Sequence, residues 1–204
     1  PYTMHKEVNL KEVRCPMLYK TNDVNMEAIN ALGLSAEKTT NILQKLYQDY
    51  GLTTYPRTDI QQISVSSSKE VMKIVDSLDG IGLVDEIIDD IKENHRTFQK
   101  HLINFSAGEM PHEAITPTYD GEPSKIIGQL SSEEKAVYLM VVKRFLQGFY
   151  PPAKVEETKV STDANGVKFS CTGKIIVEAN WMKINGIPKD NILPHITDGK
   201  DYHY

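Results

Sequence analysis

The feature that most constrains this chain is a change of hydrophobic period at Pro151-Pro152. Before the prolines, apolar residues recur at helical spacing; after them, they alternate. Ser131 with Glu134 three residues on reads as a capping box. Val137, Tyr138, Val141, Val142, Phe145, Leu146 and Phe149 then form one helical face, and the prolines end it. Beyond them Val155 to Thr162 and Val167 to Gly173 alternate, with the strong hairpin signal Asn165-Gly166 between them. Lys174 to Glu178 and Trp181 to Ile184 read as further strand, with Trp181 as a packing residue. Val8 and Leu10 also alternate with polar neighbours, as in a short strand. That strand is expected to join the terminal β region. The fold class is therefore α+β: a helical domain over 22–152 inserted into a β-rich domain made of 1–21 and 153–204.

Within the helical part, Asn22 or Asp23 is placed to cap a helix ending at Leu32, with Gly33 as its stop. Ser35 caps the next one. Its stripe is Ile42, Leu43, Leu46, Tyr47 and Tyr50, so both tyrosines are expected to face the core, and Gly51 halts it. Two more helices carry Val71, Ile74, Val75 and Leu78, then Leu83, Val84, Ile87, Ile88 and Ile91. Phe98 to Tyr119 reads as loop with short elements.

With 204 residues, a net charge of −5 and 40% apolar residues, the chain has the composition of an ordinary globular protein. No stretch approaches the roughly 18 to 20 apolar residues that span a bilayer. Cys15 and Cys171 lack metal-ligand spacing and read as reduced, half-buried thiols. Acidic charge gathers between Lys69 and Glu93, eight residues against three basic ones, as on helices facing solvent or another domain. Between Lys135 and Lys174 seven basic residues meet three acidic ones, a balance that could face a nucleic-acid backbone but more commonly marks a solvated surface. His95 and His101 have no partner at metal spacing.

Chemistry concentrates in Tyr55-Pro56-Arg57-Thr58-Asp59. Pro56 keeps Tyr55 extended, which puts Arg57 on the same side. A phenol titrates near about 10 and is a poor nucleophile unless its proton is removed or the anion stabilised. A guanidinium beside it can hold a phosphate and offset charge developing on phosphorus. Thr58 and Asp59 are placed to fix the turn. Taken alone, a Tyr-x-Arg loop is more often an exposed surface pair.

The surrounding residues change that balance. Gln44-Lys45-Leu46-Tyr47, a spacer, then Thr54-Tyr55-Pro56-Arg57-Thr58-Asp59 resembles the active-site signature of the type IA DNA topoisomerases. Thr53 stands where that signature has an aliphatic residue. Pro111-His112-Glu113-Ala114-Ile115-Thr116-Pro117-Thr118 resembles the family's His-x-Ala-Ile-x-Pro-Thr motif, with Thr116 where some members carry arginine. Gly33 to Thr39, Leu130 to Ala153, and Gly173 to Trp181 with Leu193-Pro194 resemble further family segments in the same order. The likeness is closest to the topoisomerase III-like branch.

The resemblance implies an ATP-independent isomerase whose substrate is a single-stranded segment of DNA. Tyr55 would be the nucleophile, joined transiently to a 5′ phosphate, and Arg57 would stabilise the transition state. His112 would contact the backbone phosphate, with Glu113, Thr58 and Asp59 in support at the DNA-binding site. The 22–152 segment would be the tyrosine domain and the β-rich remainder the arch. Mg²⁺ is expected on a Toprim domain whose Asp-x-Asp cluster this sequence lacks, so no metal is assigned to these residues. The chain is expected to be a central fragment, inactive alone, whose partners are DNA and the remaining domains of the full enzyme, in a bacterial-type cytoplasm near the nucleoid, with no membrane attachment. The competing reading is a non-catalytic DNA- or partner-binding module with a relic tyrosine.

Overall fold

The computed structural model describes residues 2–106 and 112–202. In chain order the elements are β1 (Tyr2–Val13), α1 (Thr21–Leu32), α2 (Ala36–Gln48), β2 (Ile63–Ser64), α3 (Val65–Ser68), α4 (Val71–Ser77) and α5 (Asp85–Glu93). There follow β3 (Ile103–Asn104), α6 (Pro123–Ile126), α7 (Ser132–Gln147), β4 (Ala153–Ala164), β5 (Val167–Glu178) and β6 (Asp201–Tyr202). They fall into two compact units: Pro16–Tyr150, and Pro1–Cys15 with Pro151–Tyr204.

The β unit is a four-stranded sheet in the order β5-β4-β1-β6. The first strand does pair antiparallel with the terminal region, Val8 opposite Thr158 and Leu10 opposite Glu156. It is far longer than its short apolar alternation signals. Asn165 and Gly166 form the two-residue hairpin loop at φ 55° and 86°, the positive values that such a turn demands. Glu157 reaches Lys11 and, at 3.6 Å, Lys174. The Lys11 ammonium holds the Glu157 carboxyl below its usual range. Gly173 marks a close approach: a Cβ there would meet the Asn191 carbonyl oxygen and Leu193 Cγ, both at 2.7 Å.

Trp181 to Ile184 is not a strand. Asn180–Asn185 forms a 3₁₀ helix, entered through Asn180 at φ 46°. The Asn180 amide donates to the Pro152 carbonyl (2.8 Å) and Trp181 Nε1 to the Val13 carbonyl (2.8 Å). Side-chain ties to the root of β4 and the end of β1 override the weak alternation. Trp181 is half-buried, its indole held by that bond. Cys15 is buried and Cys171 exposed, so neither is half-buried, and neither is in a disulfide.

The helical unit is organised on α7. Its Val137, Tyr138, Val141, Val142, Phe145 and Leu146 are buried, and the Ser131–Glu134 capping box is formed. α1 and α2 pack on each other and on α7. Ser35 Oγ caps α2 by accepting from Lys38 N–H (3.1 Å). Phe98, Phe145 and Phe149 make a mutual cluster with centroids 5.0 to 5.6 Å apart. Gly148 lets Phe98 close onto that cluster, since a Cβ there would lie 2.5 Å from the Phe98 ring.

α1 starts one residue before its expected cap. Lys20 is the N-cap and supplies no side-chain bond. The Thr21 N–H instead donates to the Thr58 carbonyl (3.0 Å), so the segment after Tyr55 closes the helix end. The acidic helices carry internal pairs: Lys92 bridges Asp76 and Asp79, and Arg96 binds Asp90. No described helix is long and apolar enough to cross a membrane.

Candidate active site

Tyr55 sits on a loop stitched down on both sides. Upstream, Gly51 at φ 62° turns the chain out of α2, and the fully buried Leu52 donates its N–H to the Leu46 carbonyl (2.8 Å). Thr53 then bridges Pro117. Thr54 is bonded through both its N–H and its hydroxyl. Its N–H donates to the Thr116 carbonyl (3.0 Å) and its hydroxyl donates to the Ala114 carbonyl (2.8 Å). The same hydroxyl accepts from Thr116 N–H (3.0 Å). Thr118 adds bonds to the Leu52 and Gly51 carbonyls. The loop bearing Tyr55 and the segment following His112 therefore form one antiparallel unit.

Downstream, the anchor is Thr21. Its hydroxyl lies 2.7 Å from the Pro56 carbonyl oxygen and 3.1 Å from that of Thr58, and it accepts from Thr58 N–H at 2.9 Å. Thr58 is 6% exposed, and its own Oγ1 accepts from Ile60 N–H (3.0 Å). Thr58 thus fixes the turn from inside. Asp23 accepts from the Gln61 amide (2.6 Å), which tethers the far end of the loop.

Between these anchors the Tyr55 ring is half-buried in an aromatic group. It stacks on His112 with centroids 4.8 Å apart and planes at 26°. Tyr47 meets it edge-on at 5.5 Å and 79°. Contrary to the core-facing reading, Tyr47 is 39% exposed, because the buried stripe of α2 runs through Thr39, Ile42, Leu43 and Leu46 and leaves Tyr47 on its flank. Tyr50 lies past the helix end, half-buried, with Lys45 Nζ 5.3 Å from its ring centre. Arg57 and Asp59 are exposed and make no side-chain hydrogen bond or ion pair among the described residues. His112 is exposed beside Tyr55, while Pro111 lies outside the described residues.

Glu113 points to a different task. Its Oε1 accepts from Ser64 N–H (3.1 Å) and Ser67 Oγ (2.8 Å), holding the start of α3. It lines a cavity of about 190 Å³ together with Thr54, Glu70, Thr116 and Asp120.

Burial separates Tyr55 from other tyrosines of the unit. Tyr19, Tyr138 and Tyr150 are buried, and burial pushes each phenol well above its ordinary range. In Tyr19 the Arg144 guanidinium, 4.1 Å from the ring, opposes that effect. Arg144 also donates to the Met17 carbonyl (3.0 Å) and binds Glu27. This basic residue therefore braces the approach to α1, which its place in a basic stretch of sequence did not reveal.

Chemically, the arrangement offers an immobilised phenol, an unengaged guanidinium two residues away, and an imidazole in contact with the phenol ring. That set suits a phosphodiester, whose non-bridging oxygens need cationic partners while the phenolic oxygen approaches phosphorus. Among the described residues no group of three His, Cys, Asp or Glu side chains is placed to hold a metal ion. Thr21 and Arg144 were missed by sequence reasoning because they lie 34 residues before and 89 after Tyr55, outside any local motif.

The family model described as DNA topoisomerase matches residues 3–204. DNA topoisomerase 3 of Bacillus subtilis (strain 168) is 31% identical over 183 residues, covering 89% of this chain and 24% of the relative. DNA topoisomerase 3 of Bacillus licheniformis is 31% identical over 200 residues, covering 93% of this chain and 26% of the relative. The chain thus spans about a quarter of the length of these relatives. The full-length topoisomerase I of Thermotoga maritima superposes with a TM-score of 0.68 at 24% identity, over 98% of this chain and 32% of that one, a likeness of fold.

Proposed function

The chain belongs to the type IA DNA topoisomerase family, and we propose that in its full-length protein Tyr55 is the nucleophile that opens a single DNA strand. The phenolic oxygen attacks a backbone phosphorus. A tyrosine–phosphorus bond forms, the bond from phosphorus to the 3′ oxygen breaks, the phenol loses its proton and the 3′ oxygen gains one. The product is a 5′-phosphotyrosine. One phosphoester replaces another, so the 3′ hydroxyl can reverse the attack without ATP once a second strand has passed. The outcome is relaxation or decatenation.

Arg57 neutralises charge on the non-bridging oxygens in the transition state. His112 holds the Tyr55 ring by stacking and presents a ring N–H to the neighbouring phosphate. Thr58 and Glu113 support the two segments from behind, and Asp59 stands exposed at the end of the loop. Mg²⁺ and the groups that move the protons would be supplied by a Toprim domain of the full-length protein. The protein works on DNA in the cytoplasm, at the nucleoid, with its own remaining domains as partners.

The observation that carries this reading is the Tyr55–His112 stack beside an unengaged Arg57. The test is trapping of protein–DNA adduct on a 3′-labelled single-stranded oligonucleotide by the full-length protein. Tyr55→Phe abolishes the adduct on this reading. An adduct that survives Tyr55→Phe would favour a module with a relic tyrosine.

A further inference from the structure

We propose that Thr21 is a positioning residue for strand cleavage, its hydroxyl setting where Arg57 stands relative to Tyr55; this rests on the nucleophilic role of Tyr55. Thr21 lies outside the Tyr55 segment and outside the motif around His112. Yet its one hydroxyl engages the backbone on both sides of Arg57. It accepts from Thr58 N–H at 2.9 Å and directs its proton at the Pro56 carbonyl (2.7 Å), with the Thr58 carbonyl at 3.1 Å. A hydroxyl has one donor and two acceptor sites, so this pattern uses most of what Thr21 can offer.

The other ties on this loop, from the Thr21 N–H to the Thr58 carbonyl and from Ile60 N–H to Thr58 Oγ1, lie on the far side of Arg57 from Tyr55. Pro56 has no N–H with which to anchor itself. The Arg57 side chain is exposed and finds no partner among the described residues. Upstream of Tyr55 the backbone is held independently by Thr54. Two hydroxyls thus bracket the Tyr55–Arg57 pair, one from the recognised segment and one from α1, and only the one from α1 reaches the Pro56 carbonyl between them.

The anchor itself is rigid. Thr21 is the first residue of α1, and two residues before it the Tyr19 carbonyl accepts from Ile115 N–H (2.8 Å). Arg144 stacks over the Tyr19 ring at 4.1 Å and binds the Met17 carbonyl. Ile115 lies three residues after His112, so one strut references both the Arg57 loop and the His112 segment. Displacing a group by about 1 Å from a reacting centre costs on the order of 100-fold in rate. Loss of the Thr21 hydroxyl acts through such a displacement.

The experiment compares Thr21→Val and Thr21→Ser in the full-length protein. Valine keeps the shape and the backbone N–H that closes α1, and removes only the hydroxyl. Adduct formation on a single-stranded oligonucleotide at saturating protein is expected to slow about 10- to 100-fold in Thr21→Val. DNA affinity stays unchanged, and Thr21→Ser restores the rate. In an Arg57→Ala background the Thr21→Val change adds little further loss, because both act at one place. Wild-type rates in Thr21→Val overturn the proposal, as does a Thr21→Ser protein equally slow, or full multiplication of the two losses. A Thr21→Val protein that does not fold also overturns it, since the hydroxyl would then hold the fold rather than the loop. Failure of the underlying reading shows separately, as an adduct surviving Tyr55→Phe.

Discussion

The imidazole of His112 lies against the ring of Tyr55, 4.8 Å between centroids and 26° between planes, although 57 residues separate them in sequence. The pairing follows from the antiparallel stitching of Thr53 and Thr54 to Thr116 and Pro117, which places the residue after Thr54 beside the start of the second segment. Two roles follow for His112, restricting the ring and meeting a phosphate, and they can be separated.

His112→Phe keeps an aromatic surface and removes the ring N–H groups, whereas His112→Ala removes both. The phosphate contact is expected to matter more, so both variants lose about 100- to 1,000-fold in adduct formation, the range of a single transition-state donor. Single-turnover cleavage of a labelled oligonucleotide reads this. Full activity in His112→Phe would show that stacking alone is required.

Arg57→Lys is expected to be a poor replacement. Lysine keeps the charge but loses the planar fork that meets two phosphate oxygens at once. The cleavage rate should fall by about 10-fold or more with little change in melting temperature, because Arg57 makes no side-chain bond among the described residues. A marked drop in melting temperature would contradict that placement.

Phe145→Ala should cost about 3 to 5 kcal/mol of folding stability, since the fully buried ring sits between Phe98 and Phe149. Tyr55→Phe, at a half-buried position on the loop, should change stability by less than about 1 kcal/mol. Urea unfolding of the two variants beside the parent chain measures both. Similar losses in the two would remove the distinction between core and loop.

Asp90 gives a prediction about acid. Burial works to raise its carboxyl, but the Arg96 guanidinium, the Tyr150 hydroxyl and the Asn94 amide outweigh it and hold the group below its usual range. A lowered folded value means stability that is complete above the unfolded carboxyl value of about 4 and is lost as pH falls through the folded one. Asp90→Asn should therefore lower the melting temperature at pH 7 and narrow its difference from the parent at pH 3. An unchanged gap at both pH values would argue against the pairing.

Much of this was legible because it is local. The capping box at Ser131, the Asn165-Gly166 hairpin and the Ser35 cap each depend on residues within a few positions of one another, and each is present. The pairing of β1 with β4 was legible from texture, but its length was not, since polar residues fill most of β1. Trp181 to Ile184 misled because a few alternating residues carry less weight than the distant carbonyls of Val13 and Pro152. Tyr47 misled because a residue at the edge of an apolar stripe belongs to either face until its neighbours are known. Thr21 was invisible because its partners are main-chain atoms of another loop, which leave no pattern in side-chain identity.

The most direct test of the central claim is to locate the covalent bond. The full-length protein is reacted with a single-stranded oligonucleotide, denatured, digested with protease and nuclease, and analysed by mass spectrometry. The account predicts a nucleotide joined through its 5′ phosphate to the peptide containing Tyr55, and to no other tyrosine. A nucleotide on any other residue, or one attached through its 3′ phosphate, would contradict it.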